Sequence, residues 1–372
     1  MRKTFASGNM AVAEAAITAG LKFYAGYPIT PSSEIMEYLA EHLPRHGGIV
    51  IQMEDEIASI NAVVGASWAN VKAMTATSGP GFSLMAEGLG LAVMTETPLV
   101  VVDVMRAGPS TGVPTKTTQA DIFQARWLAH GDYIIPSYAP WSVQEAYDLT
   151  IKAFNTAEKL RTPVILLSDA VIAHLWEPLV IRERGEVEII ERRKPAGREG
   201  YKPYMPGDDL VPPMACFGEG FKVLVESLTH DERGFYAPST TYHRSTVVRL
   251  ALKILKNIDY VFEYEAYMMD DAEVALVSYG STARTVYALM RELRRKGVKA
   301  GLLRLKTLWP LDEEKIYRSV KAGRIIVVEN NMGKLYLDVK RIFRDREVYP
   351  APVISLELPT VSEAMEVVEQ WL

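Results

Sequence analysis

Leu21-Lys22-Phe23-Tyr24-Ala25-Gly26-Tyr27-Pro28-Ile29-Thr30-Pro31-Ser32-Ser33-Glu34-Ile35 reads as a strand, a stiff loop and the start of a helix. Leu21–Ala25 is a short apolar run suited to a buried strand, and helical periodicity takes over from Ser33 to His42. Between them Pro28 and Pro31 lock φ and remove two N–H donors, so Thr30 sits on rigid backbone. The same unit recurs along the chain. Strand-like runs at Ile49–Met53, Ala73–Thr77, Leu99–Met105 and Val164–Ser168 alternate with helical patterns at Ala11–Ala19, Ile57–Ala69, Leu84–Met94 and Val143–Glu158. This alternation predicts an α/β domain with a mainly parallel sheet over residues 1–180.

Working outward, residues 181–250 break the rhythm. Ile181–Gly200 is dense in both charges, and Tyr201–Pro213 is rich in Pro, Gly and Asp. A connection of this length predicts a separation between two domains. A second α/β block occupies 251–372, its pattern starting near Asp271. It reads as strand Glu273–Tyr279, helix Thr282–Lys296, strand Val298–Leu305, helix Leu311–Lys321, and strands Ile325–Glu329 and Pro352–Leu356.

Composition narrows the function. A net charge of −5 argues against a nucleic-acid surface. Met1-Arg2-Lys3-Thr4-Phe5 opens no signal-peptide pattern, and no apolar run reaches membrane-spanning length, so the expected compartment is the cytoplasm. The single cysteine, Cys216, excludes an internal disulfide and leaves too few ligands for an iron–sulfur cluster built by this chain alone. No metal site is expected. His42 and His46 have the spacing of a metal pair, but Pro44 and Gly47-Gly48 end the helix there and no further ligands cluster nearby.

In a parallel sheet, the loops that follow the strands share one edge, where ligands bind. Those loops here are Gly26–Ser33, Glu54-Asp55-Glu56, Ser78-Gly79-Pro80-Gly81 and Arg106-Ala107-Gly108-Pro109-Ser110-Thr111-Gly112. Each has a plain reading beside a chemical one. The first is a proline-rich turn with Ser32 or Ser33 as helix cap, or a rigid mount for the Thr30 hydroxyl. The acids complement a helix dipole, or hold a ligand nitrogen. Small residues Ala58, Ala62, Gly65, Ala66 and Ala69 then line one helix face, which suits a close interface. Ser78–Gly81 is a tight turn or an anion cradle. Arg106 is a structural arginine or a fork for a carboxylate or phosphate.

Read in order, these loops resemble the alpha subunit of 2-oxoacid:ferredoxin oxidoreductases, especially the 2-oxoglutarate type. The resemblance rests on Ala25–Ser32, Gln52–Ala58, Thr75–Gly81 and Arg106–Thr115, with His130-Gly131-Asp132 and His230-Asp231-Glu232 as further matches. Val328-Glu329-Asn330-Asn331-Met332-Gly333 matches more loosely; the family usually reads Gly-Gln-Leu where this chain has Gly333-Lys334-Leu335. The resemblance implies a thiamine-diphosphate-binding, pyrimidine-like first domain and a transketolase C-terminal-like second domain. It implies that Glu56 hydrogen-bonds the aminopyrimidine of thiamine diphosphate and favours the tautomer that activates the cofactor, with Glu54 as the alternative acid. Tyr27, Pro28 and Ile29 would contact the cofactor, Thr30 an oxygen of the substrate, and Arg106 its carboxylate.

The sequence has no Gly-Asp-Gly followed by an Asn for Mg2+ and the diphosphate. The resemblance therefore implies a beta subunit that completes the cofactor site and carries Mg2+ and an iron–sulfur cluster, with gamma and delta subunits as further partners. Coenzyme A and the 2-oxoacid would be substrates, and ferredoxin the electron acceptor. Pyruvate, a branched-chain 2-oxoacid or an aryl pyruvate are alternative substrates, and a non-catalytic scaffold subunit is the alternative from another class. No Gly-x-Gly-x-x-Gly follows a strand, which argues against an NAD-linked component.

Overall fold

The computed structural model describes residues 1–372. Its strands, in chain order, are β1 (Arg2–Ser7), β2 (Leu21–Gly26), β3 (Ile49–Gln52), β4 (Lys72–Thr77), β5 (Leu99–Met105), β6 (Ser137–Tyr138), β7 (Pro163–Asp169) and β8 (Trp176–Ile181). The second half adds β9 (Tyr264–Tyr267), β10 (Val274–Tyr279), β11 (Ala300–Leu305), β12 (Thr307–Trp309), β13 (Arg324–Glu329) and β14 (Glu347–Pro352).

The larger sheet has the order β12-β6-β7-β5-β4-β2-β3. It is parallel throughout except for β12, which pairs antiparallel with β6. β12 comes from the far half of the chain, so the second half donates a strand to the first sheet. β2, β3, β4, β5 and β7 are the strands legible in the sequence. β6 and β12 are too short to produce a periodic signal. β1 and β8 form a separate antiparallel ribbon.

The smaller sheet has the order β14-β13-β10-β11-β9, parallel except for β9. The last strand falls at Glu347–Pro352, not at Pro352–Leu356 as the apolar run Val353-Ile354 suggested. Pro350 and Pro352 weaken the strand signal, but β14 is an edge strand, where proline is tolerated. The following segment leaves the sheet, and the Ser355 backbone bonds both ends of the Asn330 side-chain amide (2.9 and 3.0 Å).

Segment 181–250 packs on the first sheet's helices. Buried Arg192 pairs with Glu158 (2.7 Å) and donates to the Ser67 carbonyl (2.6 Å), while Met214 and Cys216 enter the core. A helix at Thr240–Leu255 runs through position 250, where the sequence reading puts the second boundary. The stretch His230-Asp231-Glu232 closes a compact turn: the His230 ring packs tilted against Tyr204 (centroids 4.0 Å apart), and Asp231 accepts from the Arg233 and Phe235 amides.

One apolar cluster runs unbroken from Val101 and Met105 to Tyr279, Leu303 and Trp309, so the two sheets share a core. Each large side chain buried there contributes about 1.5–3 kcal/mol. Gln119 adds a polar latch across the same boundary. Its amide N–H donates to the Asn330 carbonyl (2.9 Å), and its own carbonyl accepts from Asn331 Nδ2 (2.8 Å) and the Tyr279 hydroxyl (3.1 Å). The loop after β5 is therefore set by the second sheet as well as the first.

Candidate active site

From β2 the chain moves outward to β3, then crosses back to lay β4 on the other side of β2. The order reverses between β2 and β4, and in such sheets a crevice opens there beyond the carboxyl ends of the strands. The loops flanking it are Tyr27–Ser32 and Ser78–Gly81. The loops after β3 and β5 supply Glu56 and Arg106.

The Tyr27–Ser32 loop is tied from inside. The Ile29 carbonyl accepts from the Ser32 amide (2.9 Å) and hydroxyl (2.8 Å), so the Ser32 side chain braces the turn and makes no helix cap. Buried Asn9 donates to the Pro31 carbonyl (2.8 Å). Thr30 is half-buried, and its carbonyl accepts from Arg106 Nη1 (2.8 Å). Tyr27 and Pro28 are exposed and Ile29 is half-buried on the same rim.

The acidic triplet divides into separate environments. Glu54 is exposed. Asp55 caps the helix Glu56–Trp68, its Oδ1 accepting from the Ala58 amide (2.7 Å). Glu56 is buried, only 4 % exposed. Burial holds its carboxyl above the ordinary range, with nearby Asp55 adding to the rise and its own backbone N–H and Arg106 opposing it. A Cβ on Gly81 would lie 2.2 Å from both Glu56 Oε1 and Thr77 Oγ1, so only glycine leaves room for this carboxylate.

Arg106 is 6 % exposed. Nη1 and Nη2 hold the carbonyls of Thr30 and Thr111 (2.8 and 3.0 Å), and buried Nε has no partner. Burial lowers its pKa, opposed by the charges of Asp121, Glu56 and Asp103. The fold thus brings Thr30, Glu56 and Arg106 to one crevice.

The Ser78–Gly81 turn does not offer its amides to an anion. Gly79 N–H donates to Asp103 Oδ1 (3.1 Å), and Gly81 N–H to the Ser78 carbonyl (2.8 Å). Gly79 lies beside Arg106 and Asp121, since a Cβ there would be 3.9 and 3.8 Å from their side chains. Asp103 and Asp121 are residues that the sequence reading missed. An acid inside the apolar run Leu99–Met105 was the available signal, because a buried strand has no inexpensive place for a charge.

Beyond Arg106 a cleft of about 660 Å³ opens between the two sheets, lined by Gly108, Asp121, Asn331 and Lys334 among others. Lys334, the position that departs from the usual motif, reaches back to the Ala120 carbonyl.

A buried carboxylate with no donor from another residue, next to a glycine-made hollow, fits an aminopyrimidine, whose ring nitrogen and amino group present N–H to acceptors. The chain has no cluster of three or more His, Cys, Asp or Glu side chains placed to hold a metal.

Comparison with known proteins identifies the family. The sequence pattern of the pyruvate flavodoxin/ferredoxin oxidoreductase thiamine-diphosphate-binding domain matches residues 14–249, and that of pyruvate:ferredoxin oxidoreductase core domain II matches 272–356. The 2-oxoglutarate synthase subunit KorA of Methanocaldococcus jannaschii is 50% identical over 347 residues, covering 93% of each chain. The ketoisovalerate oxidoreductase subunit VorB of Methanothermobacter marburgensis is 38% identical over 355 residues, covering 94% of this chain and 92% of that one. The solved 2-oxoglutarate:ferredoxin oxidoreductase from Magnetococcus marinus, with 2-oxoglutarate, coenzyme A and succinyl-CoA bound, superposes with a TM-score of 0.92 at 35% identity. That match covers 99% of this chain but 65% of the solved one. The chain belongs to the thiamine-diphosphate-dependent 2-oxoacid:ferredoxin oxidoreductases, as an alpha subunit.

Proposed function

We propose that this chain is the alpha subunit of a 2-oxoglutarate:ferredoxin oxidoreductase, which converts 2-oxoglutarate and coenzyme A to succinyl-CoA and CO2 and passes the electrons to ferredoxin. The observation that carries the chemistry is the convergence of buried Glu56 with Arg106 and Thr30 in one crevice. The substrate assignment is supported by relatives named 2-oxoglutarate synthase subunit, 42% to 50% identical over nearly the whole chain. The relative named for ketoisovalerate, at 38%, is more distant.

Thiamine diphosphate, when bound, supplies the carbon nucleophile and the electron sink for decarboxylation. Glu56 would hold the aminopyrimidine by accepting its hydrogen bond and would favour the activating tautomer, in a site dry enough to make that bond strong. Tyr27, Pro28 and Ile29 would wall the ring. Arg106 directs its guanidinium at the 2-oxoacid carboxylate. Thr30, whose hydroxyl has no internal partner, donates to the oxygen where charge develops.

A partner must complete the site. Ile57, Leu84 and Tyr27 stand 49%, 49% and 40% exposed around the Glu56 entrance, an apolar rim that suits a covering subunit. Gly65 and Ala69, on the small-residue face of the helix, are also exposed. We assign that cover to a beta subunit holding the diphosphate, Mg2+ and an iron–sulfur cluster, with gamma and delta subunits as further members. No helix is long and apolar enough to cross a membrane, and the cytoplasm, where coenzyme A and ferredoxin meet, is the compartment this reading implies.

The test is a panel of 2-oxoglutarate, pyruvate and 2-oxoisovalerate on the reconstituted alpha–beta complex, followed by reduction of an artificial acceptor. 2-Oxoglutarate is expected to give the highest kcat/KM, and the chain alone no turnover. Preference for another acid would correct the substrate, and activity of the isolated chain would overturn the split site. Full turnover by Glu56→Ala would favour the scaffold reading.

A further inference from the structure

Asp103 lies on β5, a strand buried at every position. Its Oδ1 accepts from Gly79 N–H (3.1 Å), but its Oδ2 is buried with no donor. Gly79 also brings in Asp121, the residue before the helix Ile122–Trp127: a Cβ on Gly79 would lie 3.8 Å from Asp121 Oδ2, which is likewise buried without a donor. Two carboxylates in one dry site cannot both be ionised, because each raises the cost of the other's charge. A proton held between the two carboxyls would relieve both orphaned oxygens. Arg106 and Lys334 beside the pair disfavour a metal cation in that place.

The charged groups around the pair fix where the proton rests. Arg106 approaches both acids from the loop after β5, and Lys334 approaches Asp121 from the helix Lys334–Ile342. Glu56 lies beyond Arg106. Asp169, at the end of neighbouring β7, is occupied by the Ser281 and Ile172 amides (3.2 and 3.1 Å). The cations favour charge on Asp121, and the strand interior favours a neutral Asp103. Burial pushes Asp103 well above the usual carboxylate range and Asp121 up to about 6.

We infer that Asp103 and Asp121 share a single proton carried on Asp103, and that this pair is a positioning element for Arg106. With the proton in place, one negative charge lies behind the guanidinium, and Lys334 balances it. Arg106 then keeps its own charge for an incoming carboxylate. Loss of the proton puts a second negative charge behind Arg106, which competes with the substrate. The inference rests on the reading of Arg106 as the group that meets the 2-oxoacid carboxylate.

The experiment has two readouts. Infrared spectra of the full chain at neutral pH are expected to show the C=O band of a protonated, buried carboxylic acid, absent in Asp103→Asn. In the reconstituted complex, KM for 2-oxoglutarate is expected to rise about tenfold per pH unit once the pair loses its proton, with kcat little changed. Asp103→Asn is expected to keep the low KM at high pH, because its amide donates permanently to Asp121. Asp121→Asn, the second variant should the first fail to fold, is expected to keep the band, because the proton rests on Asp103, and to lose the KM rise, because no second negative charge can form. The inference is overturned if the wild-type band is missing, or if KM climbs equally in wild type and Asp103→Asn. A band that disappears in Asp103→Asn, together with a complex that turns over no 2-oxoacid, would refute the assigned reaction and leave the shared proton standing.

Discussion

Two groups of buried charges lie in the first domain, and they are finished differently. In the turn between the helix Ala86–Met94 and β5, Glu96 is fully buried and accepts from Arg249 (2.6 and 2.8 Å) and Lys253 (2.8 Å), while Lys253 also holds the Arg161 carbonyl (2.7 Å). Burial opposes its charge, yet Lys253 and Arg249 hold its carboxyl far below the ordinary range. At the crevice, Glu56 accepts no donor from another residue, Arg106 Nε has no acceptor, and Thr75, Thr77 and Ser78 keep orphaned oxygens. Unsatisfied buried groups cost roughly 1–3 kcal/mol each. A fold that pairs the Glu96 carboxylate fully and leaves the Glu56 carboxylate open has reserved the second for something outside the chain.

The comparison can be broken by substitution. The largest effect should come from Glu56→Gln, expected to lower kcat of the reconstituted complex by roughly 10²–10⁴-fold. Thermal unfolding of the chain should be unchanged or slightly later, since an unpaired buried carboxyl is removed. A variant that unfolds early would make Glu56 a structural group like Glu96. Glu96→Gln is the converse. Arg249 and Lys253 lose their counter-charge, so urea unfolding should reveal a loss of about 3–5 kcal/mol, while turnover per folded complex stays the same.

Gly81→Ala sharpens the contrast within the crevice. The added methyl pushes on the Glu56 carboxylate, and misplacing a group by about 1 Å can cost roughly 10²-fold in rate. kcat should fall by that order, while overpacking costs about 1–3 kcal/mol of stability. Wild-type turnover per folded complex would mean that the methyl disturbs the strand, not the acid.

The smallest effect concerns pH. Asp103 and Asp121 have folded pKa values raised above the ordinary 3.8, Asp121 to about 6, chiefly by burial. Their contribution to stability is full below the unfolded pKa and is lost as pH rises through the folded values. Wild type should therefore lose roughly 1–3 kcal/mol relative to Asp103→Asn between about pH 4 and the upper titration. Parallel pH profiles for the two proteins would show that no raised carboxyl titrates there.

Much of this was legible before any coordinates. The strand and helix runs from Leu21 to Ser168 are long and strongly periodic, and they formed nearly where the pattern put them. The loops containing Thr30, Glu56 and Arg106 were visible because proline, glycine and charge interrupt that pattern. β14 was displaced because its prolines concealed an edge strand, and Val353-Ile354 imitated one. β12 was invisible because its pairing with β6 depends on a contact between residues 137–138 and 307–309, which no local window contains.

The sequence by itself determined the alternation of elements, the loops that carry the chemistry and the family, because each is written in neighbouring residues or short motifs. Only the tertiary structure decided which acid of Glu54-Asp55-Glu56 is buried, that Gly81 makes its hollow, that Asp103 meets Asp121, and that Gln119 ties the Arg106 loop to the second sheet. Those outcomes depend on burial and on partners far away in the chain. Desolvation and pairing, which set charge and reactivity, exist only once the chain has folded.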